Sequence, residues 1–214
     1  MAAPGSWTSI RDYGLLSTSA LLDRYAVDAK TRIAIESQRR PNSVIISQAG
    51  IPDVVVRDQL PMSDGALNKC LDDGLTPTDW YRILNARTFF WLSRVRLHAL
   101  LEARAYRDKP QTILTLRTRS LVEAHESRIE LSPINSGSTI FKPVRRGNKT
   151  FLPISEYDFE SWRAKRNLEQ AVVELVVRDG VADVRDHVVA VHDAIGGSFT
   201  ELWRRPGTDA SVGP

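Results

Sequence analysis

Asn85-Ala-Arg-Thr-Phe-Phe-Trp-Leu-Ser-Arg94-Val-Arg96-Leu97 is the stretch whose reading decides the fold. Its apolar, aromatic run from Thr88 to Leu92 predicts a buried strand, and Ser93 followed by two arginines predicts the capped start of a helix. A strand that runs straight into a helix leaves the junction at an edge. There, free N–H groups and the positive end of the helix attract anions. Arg94 stands at that point. The stretch reads either as a phosphate or nucleotide site or as an ordinary strand-to-helix turn with solvated arginines.

Around it, 214 residues with 42% hydrophobic and 26% charged side chains are enough for one globular domain with a sizeable core. That domain is expected over residues 1–198, with 199–214 a flexible tail after Gly196-Gly197. The single cysteine, Cys70, excludes an internal disulfide. No apolar run is long enough for a membrane span or a secretory signal, so a cytoplasmic location without membrane partners is expected. Four histidines without Cys-x-x-Cys or His-Glu-x-x-His spacing offer little for zinc. His187 and His192, five apart, would lie on opposite faces of a strand, so no metal is expected.

Net charge is +3, unevenly spread. Residues 1–80 carry 8 basic and 10 acidic side chains, 81–149 carry 14 and 5, and 150–214 carry 7 and 11. The middle third is the basic one. Either it meets an anionic partner, nucleic acid or a phosphate-bearing cofactor, or its arginines are solvated on separate helix faces.

In chain order, helices are predicted from Trp7 to Tyr13, capped by Ser6 and closed by Gly14, and from Leu21 onward, helical in character to Arg40 before Pro41. Ser43 to Ala49 reads as loop or short strand. Ile51 to Asp73 has no assigned role beyond a short helix from Asp64 to Leu71. Thr76-Pro-Thr-Asp79 is a strong helix start, with Trp80, Ile83 and Leu84 on one face. The helix from Arg94 is expected to reach about Tyr106, followed by a strand from Gln111 to Thr118 and a short helix capped by Ser120 with Glu123.

Residues 132–168 form a long basic loop region interleaved with aromatics: Lys142, Arg145, Arg146 and Lys149, then Tyr157, Phe159 and Trp162. Bases stack on aromatic rings while cations track phosphates, which suits nucleic-acid contact; a surface loop with its aromatics tucked inward fits equally. Ala171-Val-Val-Glu174-Leu-Val-Val177 reads as a buried strand with a carboxylate in its middle. Such a carboxylate is costly without a partner, so Glu174 lies either at a wet edge or at a functional site, and the site is the preferred reading.

Four segments together resemble the DarT-type ADP-ribosyltransferases, and more closely a bacterial family sharing that core. Trp7 to Leu16 is similar to the family's early helix ending in Gly-Leu-Leu. Phe89-Phe-Trp-Leu-Ser-Arg94 is similar to its aromatic strand followed by an arginine. The basic loop stands where those enzymes keep a substrate-recognition loop, and Gln170 to Val181 resembles the strand with the catalytic glutamate. The resemblance spans roughly residues 6–190 and implies an α/β (α+β) fold, a split mixed β-sheet with flanking helices. It implies an NAD-dependent mono-ADP-ribosyltransferase that modifies a nucleic-acid base. Glu174 and Arg94 would be catalytic, Ser17, Thr18, Phe90 and Trp91 would contact NAD, and Arg145, Arg146, Lys149, Tyr157 and Trp162 would contact nucleic acid. NAD hydrolysis and a catalytically inactive binding module of the same fold are the alternatives. Such domains usually open on a strand with a Tyr-His-like motif, which in this chain would have ended at about Met1.

Overall fold

The computed structural model describes residues 1–140 and 142–214. Helix α1 (Trp7–Tyr13) closes at Gly14, where φ is 90°. A Cβ at Gly14 would sit 2.7 Å from the Ala182 backbone, so space as well as torsion demands glycine. The dipeptide strand β1 (Leu15–Leu16) precedes α2 (Thr18–Arg24). The expected continuous helix to Arg40 is broken: Ala26 takes φ 46°, and Asp28 restarts the chain as N-cap of α3 (Ala29–Glu36), accepting from the Lys30 and Thr31 amides.

Strands β2 (Val44–Gln48) and β3 (Ile51–Val56) form an antiparallel hairpin, so a stretch without an assigned role is sheet. Pro52 is tolerated because this two-stranded sheet has only edges, and its carbonyl accepts the Tyr25 hydroxyl. Helix α4 (Asp64–Asn68) is capped by Ser63, and α5 (Pro77–Asn85) by a full Thr76–Asp79 capping box. Then follow β4 (Arg87–Trp91), α6 (Arg94–Glu102), β5 (Gln111–Leu116) and α7 (Thr118–His125). Arg117, not Ser120, holds the cap position of α7; the Ser120 hydroxyl instead donates to the Arg117 carbonyl at 3.1 Å. The remaining elements are β6 (Ile129–Ser132), β7 (Leu152–Pro153), α8 (Phe159–Lys165), α9 (Leu168–Ala171), β8 (Glu174–Arg178), β9 (Gly180–Val181), α10 (Val184–His187), β10 (Val188–Ile195) and β11 (Ser198–Arg204). The protein is mixed α/β with small antiparallel sheets.

The chain divides into two compact units that interleave along the sequence. The first comprises Met1–Leu15, Ser93–Glu126 and Val181–Pro214. Its sheet runs β11-β10-β5, all antiparallel, and Ala2 bridges to Thr112 beside β5. Leu101, Ile113 and Ala194 form a core there with Leu97 and Phe199 packed against them. The expected tail is ordered. Gly196 and Gly197, at φ 55° and 79°, make the tight turn that positive torsions require and return the chain as β11. Beyond it, Arg204 donates to the Asp209 and Val212 carbonyls, and Trp203 lies 5.6 Å from the Trp7 ring.

The second unit comprises Leu16–Leu92 and Ser127–Gly180. Its main sheet runs β4-β8-β6-β7, antiparallel throughout, so β8 is central and β4 is an edge. That explains a correction. The aromatic strand is not buried: Phe89 is 36% exposed and Leu92 43%, because a strand paired on one side only keeps an open flank. One core gathers Leu67, Trp80, Tyr81, Leu84, Phe151 and Val176; another gathers Leu22, Tyr25, Ile35, Ile46 and Val56. No helix among the described residues is long and apolar enough to cross a membrane.

Candidate functional site

The run Val-Val-Glu-Leu-Val-Val forces the chain into the middle of the sheet, since β-branched residues fit a strand buried on both faces. Strand β8 begins at Glu174 rather than two or three residues earlier, so the carboxylate sits at the strand's first position and not its middle. Register places Glu174 directly opposite Trp91 of β4 and Ser132 of β6. Opposed residues on antiparallel strands share a face, so Trp91 is on the carboxylate's side and Phe90, opposite Leu175, is on the other. Both aromatics are half-buried.

Glu174 is 4% exposed, and what partners it is Ser136. The Ser136 hydroxyl donates to Oε2 at 2.7 Å, and the Ser136 amide reaches both carboxylate oxygens at 3.3 and 3.2 Å. An ionised carboxylate is an acceptor only, so two converging donors suit it. The Ser136 carbonyl in turn accepts from Arg146 Nη1 at 2.8 Å and Trp80 Nε1 at 3.3 Å. A carboxylate, a serine, an arginine and a tryptophan are thereby locked into one buried cluster. Sequence reading missed the part Ser136 and Trp80 play here, since 38 and 94 residues separate them from Glu174 and no local pattern ties either to it.

Of the residues expected at nucleic acid, Arg146 is corrected to a structural role. It is 2% exposed, donates to the carbonyls of Val144, Ser136 and Ser138, and burial holds its guanidinium below the usual range against the pull of Cys70 and Glu174. Tyr157 is likewise withdrawn. Its hydroxyl donates to the Ala171 carbonyl at 2.6 Å, and burial pushes its pKa up to about 12. Arg145 is exposed but paired with Asp72. Lys149 is exposed, and half-buried Trp162 carries Arg166 over its ring at 4.4 Å and Lys165 at 5.5 Å.

Ser17 is buried, and its hydroxyl accepts from the Ala20 amide as N-cap of α2; Thr18 is the first residue of that helix. Arg94 belongs to the first unit, whereas Glu174 belongs to the second. Arg94 is exposed, donates to the Ser211 carbonyl at 2.7 Å, and lines a shallow cleft of about 440 Å³ along α6 with Val95, His98, Ala99 and Glu102. Ser93 holds the cap position without a side-chain bond. His187 is not on a strand with His192: it ends α10 and lies beside Asp183 and His125, a grouping that its spacing from His192 concealed.

The profile of a family described as "Family of unknown function (DUF7002)" matches residues 1–188. The chain belongs to that family. The match takes in both the β8 strand with Glu174 and the whole loop that reaches it, so the buried cluster lies within the part common to DUF7002. No curated protein and no solved structure matches the chain.

Proposed function

We propose that this DUF7002 chain is an ADP-ribosyltransferase-like enzyme that consumes NAD and places ADP-ribose on a nucleic-acid base. The supporting observation is the end of the β4–β8 ladder: a carboxylate with an aromatic residue directly across from it, reached by a long loop whose serine offers the carboxylate a hydroxyl. A split-sheet ADP-ribosyltransferase architecture is part of the same proposal. In NAD, cleavage of the bond between nicotinamide and the ribose C1′ passes through an oxocarbenium-like state, as glycoside cleavage does. Nicotinamide departs with the bonding electron pair, and a ring or exocyclic nitrogen of the base supplies the pair for the new bond. Glu174 stabilises the developing positive charge, holds a ribose hydroxyl and accepts the proton that the acceptor loses. The Ser136 hydroxyl already donates to Oε2, so on this reading a ribose hydroxyl engages Glu174 by displacing it. Trp91 walls the nicotinamide on the carboxylate's face and Ser17 and Thr18 are lesser cofactor contacts, while Phe90, on the other face of the sheet, is left out of the pocket. Arg94 enters as the phosphate-binding residue through the family resemblance alone, and Arg145, Lys149 and Trp162 are left to meet the acceptor.

One observation favours a second reading. Glu174 is already satisfied by two donors of a single residue and almost fully covered, which also describes a structural carboxylate that pins a loop in a noncatalytic binding module. Calorimetric titration of NAD into the purified protein, paired with a nicotinamide-release assay over DNA, RNA and protein acceptors, separates the two. Binding with release supports the enzyme. Release without any acceptor marks a glycohydrolase, and absence of both binding and release leaves the module.

A further inference from the structure

In the first unit, two imidazoles and a carboxylate that the proposed reaction does not use converge on one point. His125 ends α7, Asp183 precedes α10 and His187 ends α10. His125 Nε2 lies 2.8 Å from Asp183 Oδ1, and His187 Nε2 lies 3.4 Å from Oδ2. One donor atom from each residue falls within 4.8 Å of the other two. The rings are 5.4 Å apart and inclined at 75°, so they meet edge to face around the carboxylate rather than stacking. Both histidines are buried while the Asp183 side chain is 43% exposed, which gives an incoming ion and its remaining waters a way in.

A second observation concerns the tautomer of His187. The Ser120 hydroxyl donates its one hydrogen to the Arg117 carbonyl at 3.1 Å. Its 3.0 Å contact with His187 Nδ1 fits that arrangement when Nδ1 carries the ring proton and donates to the serine oxygen. In the neutral ring Nε2 is then a lone pair aimed at a carboxylate oxygen. Two acceptors facing one another repel unless a cation lies between them. A proton would serve only that one nitrogen–oxygen pair, whereas three donor atoms from three residues converge here.

We propose that His125, Asp183 and His187 bind one divalent transition metal of the zinc class through the two Nε2 atoms and the carboxylate, with water completing the shell. Imidazole with one carboxylate is a donor set that such borderline ions favour. At metal–ligand distances near 2.0–2.1 Å, tetrahedral neighbours stand about 3.4 Å apart. The His187 Nε2–Asp183 Oδ2 separation already has that value, whereas His125 Nε2 faces the other oxygen, Oδ1, so the carboxylate turns to present one oxygen to both rings on binding. Ser120 acts as the outer partner that fixes the His187 ring, the role metal-bound histidines usually assign to a carbonyl, carboxylate or water. The ion ties the end of α7 to the turn before α10.

The test uses the full chain, stripped with a chelator and titrated with Zn²⁺ against a chromophoric competitor, with Co²⁺ as a spectroscopic substitute. Uptake of one equivalent with proton release, and visible Co²⁺ bands of a four- or five-coordinate site, are expected. Asp183→Asn should weaken binding about a hundredfold, and Ser120→Ala about tenfold as an outer partner, whereas His98→Gln should change nothing. Asp183 makes no side-chain cap bond to α10, so the asparagine variant is expected to fold, and His125→Gln serves as a second ligand variant. Failure of the wild-type chain to take up an equivalent at micromolar Zn²⁺ overturns the site. So does equal affinity in wild type and Asp183→Asn, or nitrogen NMR showing both His187 nitrogens protonated in a chain indifferent to zinc.

Discussion

Two carboxylates of this chain meet opposite surroundings. Glu174 is buried and receives a hydroxyl and an amide from one serine, donors that the chain itself supplies. Asp183 is partly exposed and faces two ring nitrogens. Burial alone would raise the Asp183 pKa, yet its own backbone N–H, together with the imidazoles when they carry a proton, holds it below the usual carboxylate value. The difference teaches that a carboxylate's burial and its availability are separate matters. Glu174 becomes available only when Ser136 gives way, whereas Asp183 is poised for whatever cation the imidazoles admit.

Replacing each acid breaks or sharpens that contrast. Glu174→Ala leaves the Ser136 donors buried without their acceptor and opens a void, so a loss of about 3–5 kcal/mol in urea unfolding is expected, as when one partner of a buried charged cluster is removed. Asp183→Ala should cost about 0.5 kcal/mol or less, because solvent screens an exposed pair. Equal losses would erase the distinction.

Arg146→Ala comes next. It strands the carbonyls of Val144 and Ser138 and leaves that of Ser136 with Trp80 Nε1 alone, and a loss of about 2–4 kcal/mol is expected from unpairing buried acceptors and vacating packed volume. Lys149→Ala should leave the unfolding midpoint unchanged and instead lower the salt dependence of nucleic-acid binding by about one unit of slope. A triple alanine variant of Arg145, Arg146 and Lys149 would therefore confound the two effects, since only Arg146 is structural. Ser136→Ala removes a charge-assisted bond and should cost about 1.5–3 kcal/mol.

The smallest effect concerns pH. Burial lowers the His192 pKa from its ordinary value of 6.5, with Glu201 opposing and Arg204 adding to the shift. The folded chain thus binds fewer protons than the unfolded one just below pH 6.5, so stability falls as pH drops through that value towards the lowered folded pKa. His192→Gln should lose less stability than wild type between pH 7.5 and 5.5. Parallel losses would assign the acid sensitivity to other groups.

Legibility in the sequence followed how local each signal was. The Thr76–Asp79 box and Gly14 were readable because their partners lie within four residues. The strands at Gln111 and Glu174 were readable from β-branched and apolar runs. Gly196-Gly197 also carries the two-residue hairpin signal, yet β11 was missed because Ser198–Arg204 is an edge strand with polar residues on both faces and no clean alternation. Glu174 was legible as an oddity in an apolar run, but its partner was not: Ser136 is an ordinary loop serine until the chain folds. Arg146 and Arg145 are adjacent and identical in type, and only tertiary structure buries the first and exposes the second. The His125–Asp183–His187 grouping had just one local trace, the four-residue spacing of Asp183 and His187, and needed a third member 58 residues away.

The most direct measurement is nicotinamide release from NAD by wild type and by Glu174→Gln, with the same acceptor panel for both. Glutamine keeps the shape and an acceptor for the Ser136 hydroxyl but removes the charge that the oxocarbenium-like state requires. Turnover should fall about a hundredfold to a thousandfold while NAD affinity and the unfolding midpoint change little. Full activity in the glutamine variant, or no release by the wild-type chain with any acceptor, would contradict a catalytic Glu174 and leave it as the anchor of its loop.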